Sequence, residues 1–285
     1  MGHQDVVNTV VPSVNLFLTT ACNMCCKFCF APPSHAQTMP QREAERIINE
    51  CRDLGVEKIT FVGGEPLLYP HLYNVVRHAH SKGLTTCVVT NISQLSDKWL
   101  KQYAQVLDWV GMSVDSLSSE NNFSSGRSVH GAPVYHEHYI EMAKAVKNFG
   151  MHLKINTTVS WWTKDDDLSE FIMETRPDRW KIFQALNISE VNSRETFAIS
   201  TAEFDLYVAK HRRMAEYTTM VVESNAEMTE SYLMVTADGR FFDNTGGRYN
   251  YSPPISKVGM RAALAAIQVD AGRFLRRGGY YEWSR

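Results

Sequence analysis

The sequence has no apolar run long enough to cross a bilayer as a helix, and it does not open on a secretory leader. Gly2 is followed by Val6, where an acylation signal wants Ser or Thr. Positive charge is not in excess. Lys and Arg number 29 against 31 Asp and Glu, a formal net charge of −2, which argues against coating nucleic acid. Neither a G-x4-G-K-S/T loop nor a G-x-G-x-x-G turn is present, so phosphate would have to be held by side chains. Cysteine is scarce and unevenly placed. Four of the six lie within Cys22–Cys29, and Cys51 and Cys87 sit in apolar segments, which suggests a reducing compartment rather than a disulfide framework. No repeat or low-complexity linker divides the 285 residues. The expectation is a soluble, cytoplasmic monomer that binds neither membrane nor nucleic acid. At 44% hydrophobic and 21% charged residues it has material for a sizeable core.

Strand and helix patterns alternate along the first two thirds of the chain. Val14–Leu18 is a short apolar run, hence a buried strand, and Gln41–Leu54 shows a helical apolar face closed by Gly55. Strands are predicted at 58–62, 85–90, 108–114, 152–160 and 179–186, and helices at 71–82, 96–105, 133–149 and 165–175, with Asp165–Asp167 as the acidic first turn of the last helix. Six such alternations predict an α/β fold of parallel strands with functional residues at their carboxyl ends. After residue 186 the pattern changes. A capping box at Ser200 and Glu203 opens a helix to about Tyr217, and Ser231–Val235 and Arg240–Phe242 read as a hairpin turning at Asp238 and Gly239. Residues 1–186 are expected to form the core, and residues 187–285 an extension packed on it like a lid over the site.

Residues Ala21–Phe30 read ACNMCCKFCF. Three thiolates this close cannot form a relaxed set of disulfides, but they can converge on a metal or an iron–sulfur cluster. Three ligands also leave one position open for chemistry. Cys22, Cys26 and Cys29 form C-x3-C-x2-C, and Cys22, Cys25 and Cys29 form C-x2-C-x3-C, so composition leaves the middle ligand open. A zinc-binding module without catalysis is the rival reading of the loop alone. Gly63, Gly64, Glu65 and Pro66 close the second strand; two glycines let backbone carbonyls approach a ligand, and Glu65 supplies a carboxylate. C-x3-C-x2-C with Phe28 before its last cysteine, followed by GGEP, resembles the radical S-adenosylmethionine (SAM) enzymes. The resemblance implies a [4Fe–4S] cluster on Cys22, Cys26 and Cys29, with Cys25 a bystander, and the amino group of SAM at Gly63–Pro66. Thr90, Asn91, Ser113, Asp115 and Ser116, at later strand ends, are expected to hold the ribose and methionine portions of SAM. Arg127 is expected to hold its carboxylate.

Lys154 and Asn156, and Arg179 and Lys181, stand two apart on strands, so each pair shares a face. Facing inward, the three cations would call for an anionic ligand. A closer resemblance then emerges. SVN at 13–15, CxxxCxFCF at 22–30, KIN at 154–156, RWKxFQ at 179–184, ESNxxMxxSYL at 223–233 and RGGxYxW at 277–283 together resemble the viperin family over nearly the whole chain. That resemblance implies a (β/α)6 partial barrel of the radical SAM type. It also implies dehydration of a nucleoside triphosphate, CTP or UTP favoured, to its 3′-deoxy-3′,4′-didehydro analogue, a chain terminator in antiviral defence. Asn15, Lys154, Asn156, Arg179, Lys181, Arg248 and Arg277 would hold substrate, Tyr232 would act near the radical, and a flavodoxin- or ferredoxin-like protein would supply electrons. Two departures stand out: Tyr280 replaces a cation of the animal proteins, and GGRYNYSPP leaves Arg248 where they are lysine-rich. The animal amphipathic amino-terminal segment and the extension beyond Trp283 are expected to be missing. Another radical SAM enzyme, a glycyl-radical activase or a peptide modifier, is the second rival.

Overall fold

The computed structural model describes residues 11–35, 37–192 and 196–283, so the reading of Gly2 and Val6 lies outside the described residues. Ten strands form one sheet: β1 (Ser13–Phe17), β2 (Lys58–Val62), β3 (Thr85–Thr90), β4 (Trp109–Ser113), β5 (His152–Val159), β6 (Arg179–Gln184), β7 (Thr219–Glu223), β8 (Leu233–Val235), β9 (Phe241–Asp243) and β10 (Asn250–Tyr251). Their order is β10-β9-β8-β1-β2-β3-β4-β5-β6-β7. From β8 through β1 to β7 every neighbouring pair is parallel, whereas β9 and β10 return antiparallel. The connecting helices are α1 (Gln41–Asp53), α2 (Leu72–Ser81), α3 (Asp97–Tyr103), α4 (Ser119–Ser124), α5 (His136–Asn148), α6 (Ser169–Thr175) and α7 (Thr201–His211).

Strand alternation divides the sheet into two unlike faces. Leu16, Ile59, Phe61, Val88, Val110, Met112, Leu153, Ile155, Trp180 and Ile182 are fully buried beneath the helices. Each such side chain contributes about 1.5–3 kcal/mol through its burial. α1 shows the matching helical period, presenting Ala44, Ile47, Ile48 and Cys51 to that layer. The registers Asn15↔Thr60↔Cys87↔Trp109↔His152 and Gly111↔Lys154↔Arg179 place a polar and cationic set on the opposite face. The sheet curls around this second face. β7 and β8 are separated by six strands in the sheet, yet Lys181 on β6 lies 3.0 Å from the hydroxyl of Tyr232, just before β8. The result is a partial barrel, open between β7 and β8.

The alternation predicted up to residue 186 is present within a few residues at each boundary, and the capping box and hairpin form as expected. Among the elements that went unpredicted are α4 and β7. Asp165–Asp167 is not a first helical turn. α6 begins at Ser169, and Asp166 accepts from Ser116 and Asn121 while Asp167 accepts from the Ser169 amide. The extension after residue 186 is more than a lid, because β7 to β10 continue the sheet itself.

Candidate active site

The cysteine loop springs from β1 and is pinned at both flanks by glycines. A Cβ on Gly64 would stand 2.3 Å from the Ala21 carbonyl oxygen, and one on Gly63 would stand 2.6 Å from that of Thr19. The amides of Gly64 and Glu65 donate to Thr19 and Ala21 at 2.7 and 2.8 Å. These glycines therefore admit the cysteine loop's own backbone. On the other flank, Gly126 has φ +79°, and a Cβ there would meet the Cys25 carbonyl oxygen at 2.2 Å. The Lys27 amide donates to Ser125 at 2.9 Å, and Asn192 donates to the Phe28 carbonyl at 3.3 Å.

Burial raises the Cys22 and Cys29 thiols above the ordinary range and pushes Cys26 up to about 12. Cys26 senses the charges of Cys22 and Cys29, and all three are opposed by the Arg127 guanidinium. Cys25 is exposed and is not among the groups acting on them. Among the described residues no three cysteine, histidine or carboxylate side chains are gathered closely enough to cage a single ion. Three mutually coupled thiols, one face open and a buried cation beneath, fit a cluster that spreads its ligands over separate irons. Cys22, Cys26 and Cys29 are the residues that would hold it.

The expected SAM residues divide into two groups. Glu65 turns its carboxylate inward, accepting from Thr90 Oγ1 at 2.7 Å, the Asn91 amide at 2.7 Å and the Leu67 amide at 3.0 Å. It ties the ends of β2 and β3 together. Asn91 reaches back to Asn23 at 2.9 Å and to the Cys22 sulfur at 3.9 Å, so the third strand end is wired into the cysteine loop. Pro66 opens a short 3₁₀ turn below. Asp115, Ser116 and Arg127 form the second group and are engaged with protein groups. Arg127 pairs with Asp115 at 2.9 Å and donates to the Ser113 carbonyl; Asp115 also accepts the Thr158 amide at 2.7 Å, and Ser116 donates to Asp166. All three are buried, and at this depth the Asp115 and Arg127 charges would be costly if left unpaired. These contacts hold the residues after β4 and α4 against β5 and Asp166.

The second face of the sheet carries the cations. Lys154 lies 3.7 Å from the Cys87 sulfur, and Asn156 follows on the same strand with a buried carbonyl oxygen that has no partner. Arg179 donates to the Gly278 carbonyl at 2.9 Å and lies 3.7 Å over the Tyr281 ring. Lys181 pairs at 2.5 Å with Glu223, which also meets Arg277 at 3.2 Å and accepts the Tyr232 hydroxyl. Burial pulls Lys181 down to about 7 against the pull of Glu223. Burial acts to raise Glu223, but Lys181 and Arg277 hold it below the usual carboxylate range. Asn15 shares this face, level with Thr60 and Met234. Arg248 is exposed beside a turn and forms no ion pair among the described residues.

Two members of this set were missed in the sequence. Lys58, first in β2, is buried under Trp109, Tyr281 and Trp283 and donates to the Tyr281 hydroxyl; burial forces it well below the ordinary lysine range. The period-two argument used for Lys154 and Asn156 applies equally to Lys58 and Thr60. Glu223 was missed with its strand. The tail also runs otherwise than expected. Trp109 Nε1 donates to the Trp283 carbonyl at 2.8 Å, and Trp283 packs on Cys87, so the last described residues plug the barrel at the amino-terminal ends of β2 to β6 rather than covering its mouth.

The Radical SAM superfamily model matches residues 16–172, more than half of the chain. This chain belongs to the radical SAM superfamily. A curated S-adenosylmethionine-dependent nucleotide dehydratase of Lacinutrix mariniflava is 40% identical over 99% of this chain, which spans 61% of that protein's length. One from Flammeovirga pacifica is 36% identical over 97% of both chains, and the nucleotide dehydratase RSAD2 of Oncorhynchus mykiss is 32% identical over 98% of this chain and 85% of its own. The radical SAM chain thus falls within the viperin branch. Among solved structures, native anSMEcpe with bound AdoMet superposes with a TM-score of 0.70 at 13% identity, over 89% of this chain and 80% of that one. SuiB of Streptococcus suis bound to S-adenosylmethionine gives 0.65 at 19% identity, over 81% of this chain and 59% of that one. These two likenesses establish the radical SAM fold. A [4Fe–4S] cluster and SAM are the cofactors that go with it.

Proposed function

We infer that the protein is a radical SAM nucleotide dehydratase that removes water from the sugar of a nucleoside triphosphate, CTP or UTP favoured, to give the 3′-deoxy-3′,4′-didehydro analogue. The observation that carries this reading is the juxtaposition of Lys58, Lys154, Arg179, Lys181 and Arg277 on the barrel face below a three-thiol loop. Buried cations without anions are costly, and Glu223 is the one carboxylate paired with them among the described residues, so a polyanion would complete the set. Each charge-assisted contact would contribute about 1.5–3 kcal/mol to binding. With a [4Fe–4S] cluster on Cys22, Cys26 and Cys29 and SAM beside Gly63–Pro66, the site gains reductive cleavage of SAM and abstraction of the ribose C4′ hydrogen.

The chain's own residues then have defined work. The cations fix the triphosphate deep in the barrel, so the sugar is left toward the cysteine loop. Asn156, with its unpartnered oxygen, and Asn15 offer amides to the sugar. Tyr232 carries a hydroxyl whose loss of a proton is made harder by burial, so it stays a donor. Closure by the tail and by the loop held through Asn192 keeps water out. A flavodoxin- or ferredoxin-like donor in the cytoplasm would supply electrons, and a chain-terminating product would serve antiviral defence. No helix among the described residues is long and apolar enough to cross a membrane.

The test is incubation of the anaerobically reconstituted protein with SAM, a reductant and an equimolar mixture of nucleoside triphosphates, followed by mass spectrometry. One pyrimidine triphosphate should appear lighter by one water, alongside 5′-deoxyadenosine. Formation of 5′-deoxyadenosine with every nucleotide unchanged would overturn the reading.

A further inference from the structure

Glu223 is a fully buried carboxylate at the end of β7, in a pocket otherwise lined by cations. A fixed negative charge there opposes the binding of a triphosphate. It is nevertheless held by three partners at once. One oxygen lies 2.5 Å from Lys181 Nζ and 3.2 Å from Arg277 Nη1, and the other accepts the Tyr232 hydroxyl. The same hydroxyl oxygen accepts from Lys181 at 3.0 Å, and the Tyr232 ring lies 3.7 Å from the Arg277 guanidinium carbon. Arg277 is anchored from behind by the Ser231 carbonyl at 2.9 and 3.2 Å. This closed set bridges the opening between β7 and β8, where the sheet offers no backbone hydrogen bonds to fix a side chain.

We propose that Glu223 is a positioning residue that aims the Tyr232 phenol and restrains Lys181 and Arg277, at the expense of triphosphate affinity. The proposal rests on the nucleotide dehydratase reading. With nucleotide bound, Lys181 and Arg277 share their charge between phosphate and Glu223, and the phenol is left in the one orientation that Glu223 and Lys181 allow. A carboxylate present merely to neutralise buried cations could be replaced by the substrate itself, without consequence for the product.

Glu223→Gln keeps the shape and removes the charge. Its affinity for a nucleoside triphosphate, and for inorganic tripolyphosphate as a probe of charge alone, should rise by roughly tenfold. Over the same comparison, the dehydrated nucleotide formed per 5′-deoxyadenosine should fall. Glu223→Asp keeps the charge, so affinity should return to the wild-type level while the product ratio stays low. Affinity and product ratio both unchanged in Glu223→Gln, or both lowered together with thermal stability, would overturn the proposal. A wild-type protein that dehydrates no nucleotide would instead overturn the reading beneath it, and the proposal with it.

Discussion

Lys181 should give the proposed pocket a pH dependence near neutrality. A lysine in water stays protonated to about pH 10.4, whereas burial brings Lys181 to about 7, with Glu223 opposing that shift and Arg277 and Lys154 reinforcing it. In the proposed reaction it is the protonated form that would bind phosphate, so triphosphate affinity should weaken as pH rises through neutrality. Stability should move the other way. Above about 7 the unfolded chain holds a proton that the folded chain has lost, so this group makes the fold more stable as pH rises toward the unfolded value. Lys181→Arg, which stays charged, should flatten the affinity profile; a profile that keeps its slope would assign the titration elsewhere. The cysteines separate as sharply. Cys22→Ala, Cys26→Ala and Cys29→Ala should each abolish iron content and the brown colour, and Cys25→Ala should retain both. A colourless Cys25→Ala beside an iron-loaded Cys26→Ala would reverse the ligand assignment. Cysteine spacing was legible in the sequence because ligands drawn from one loop are close in the chain. Glu223 was not, because its meaning comes from Lys181, Tyr232 and Arg277, which only folding brings to it.

Elements meet at two places where a single substitution has a clear consequence. α4 delivers Gly126 to the cysteine loop in a left-handed conformation, with no room for a Cβ against Cys25. Gly126→Ala must push the loop away, so iron content should drop while far-ultraviolet circular dichroism stays unchanged. Full iron loading would show that the loop yields more easily than its contacts imply. At the barrel's other end, Trp283→Ala should cost about 3–5 kcal/mol in denaturant unfolding, the usual loss for a buried tryptophan. It should also weaken triphosphate binding, because Lys58 and Trp109 lose the ring that packs on them. Retained affinity would mean that the plug acts on stability alone. The alternation of strands and helices was readable because apolar periodicity reports a face buried under helices. The path of the tail was not, since aromatic residues at 280–283 suit a cover over the mouth as well as a plug beneath it.

At the scale of the whole molecule, two faces of one sheet divide the work. The helix-covered face supplies the apolar burial that holds the fold, which leaves the other free to carry charges that would otherwise be destabilising. In the proposed reaction, the strand ends and the cysteine loop would place hydrogen abstraction at one end, and the cations would hold a polyanion at the other. The sugar of a nucleoside triphosphate is the part of that molecule left between them. The most direct test uses a nucleoside triphosphate deuterated at C4′, given to the reconstituted protein with SAM and a reductant. The 5′-deoxyadenosine formed should carry one deuterium, in step with the appearance of dehydrated nucleotide. 5′-deoxyadenosine without deuterium, from a reaction in which the triphosphate is bound, would contradict the account.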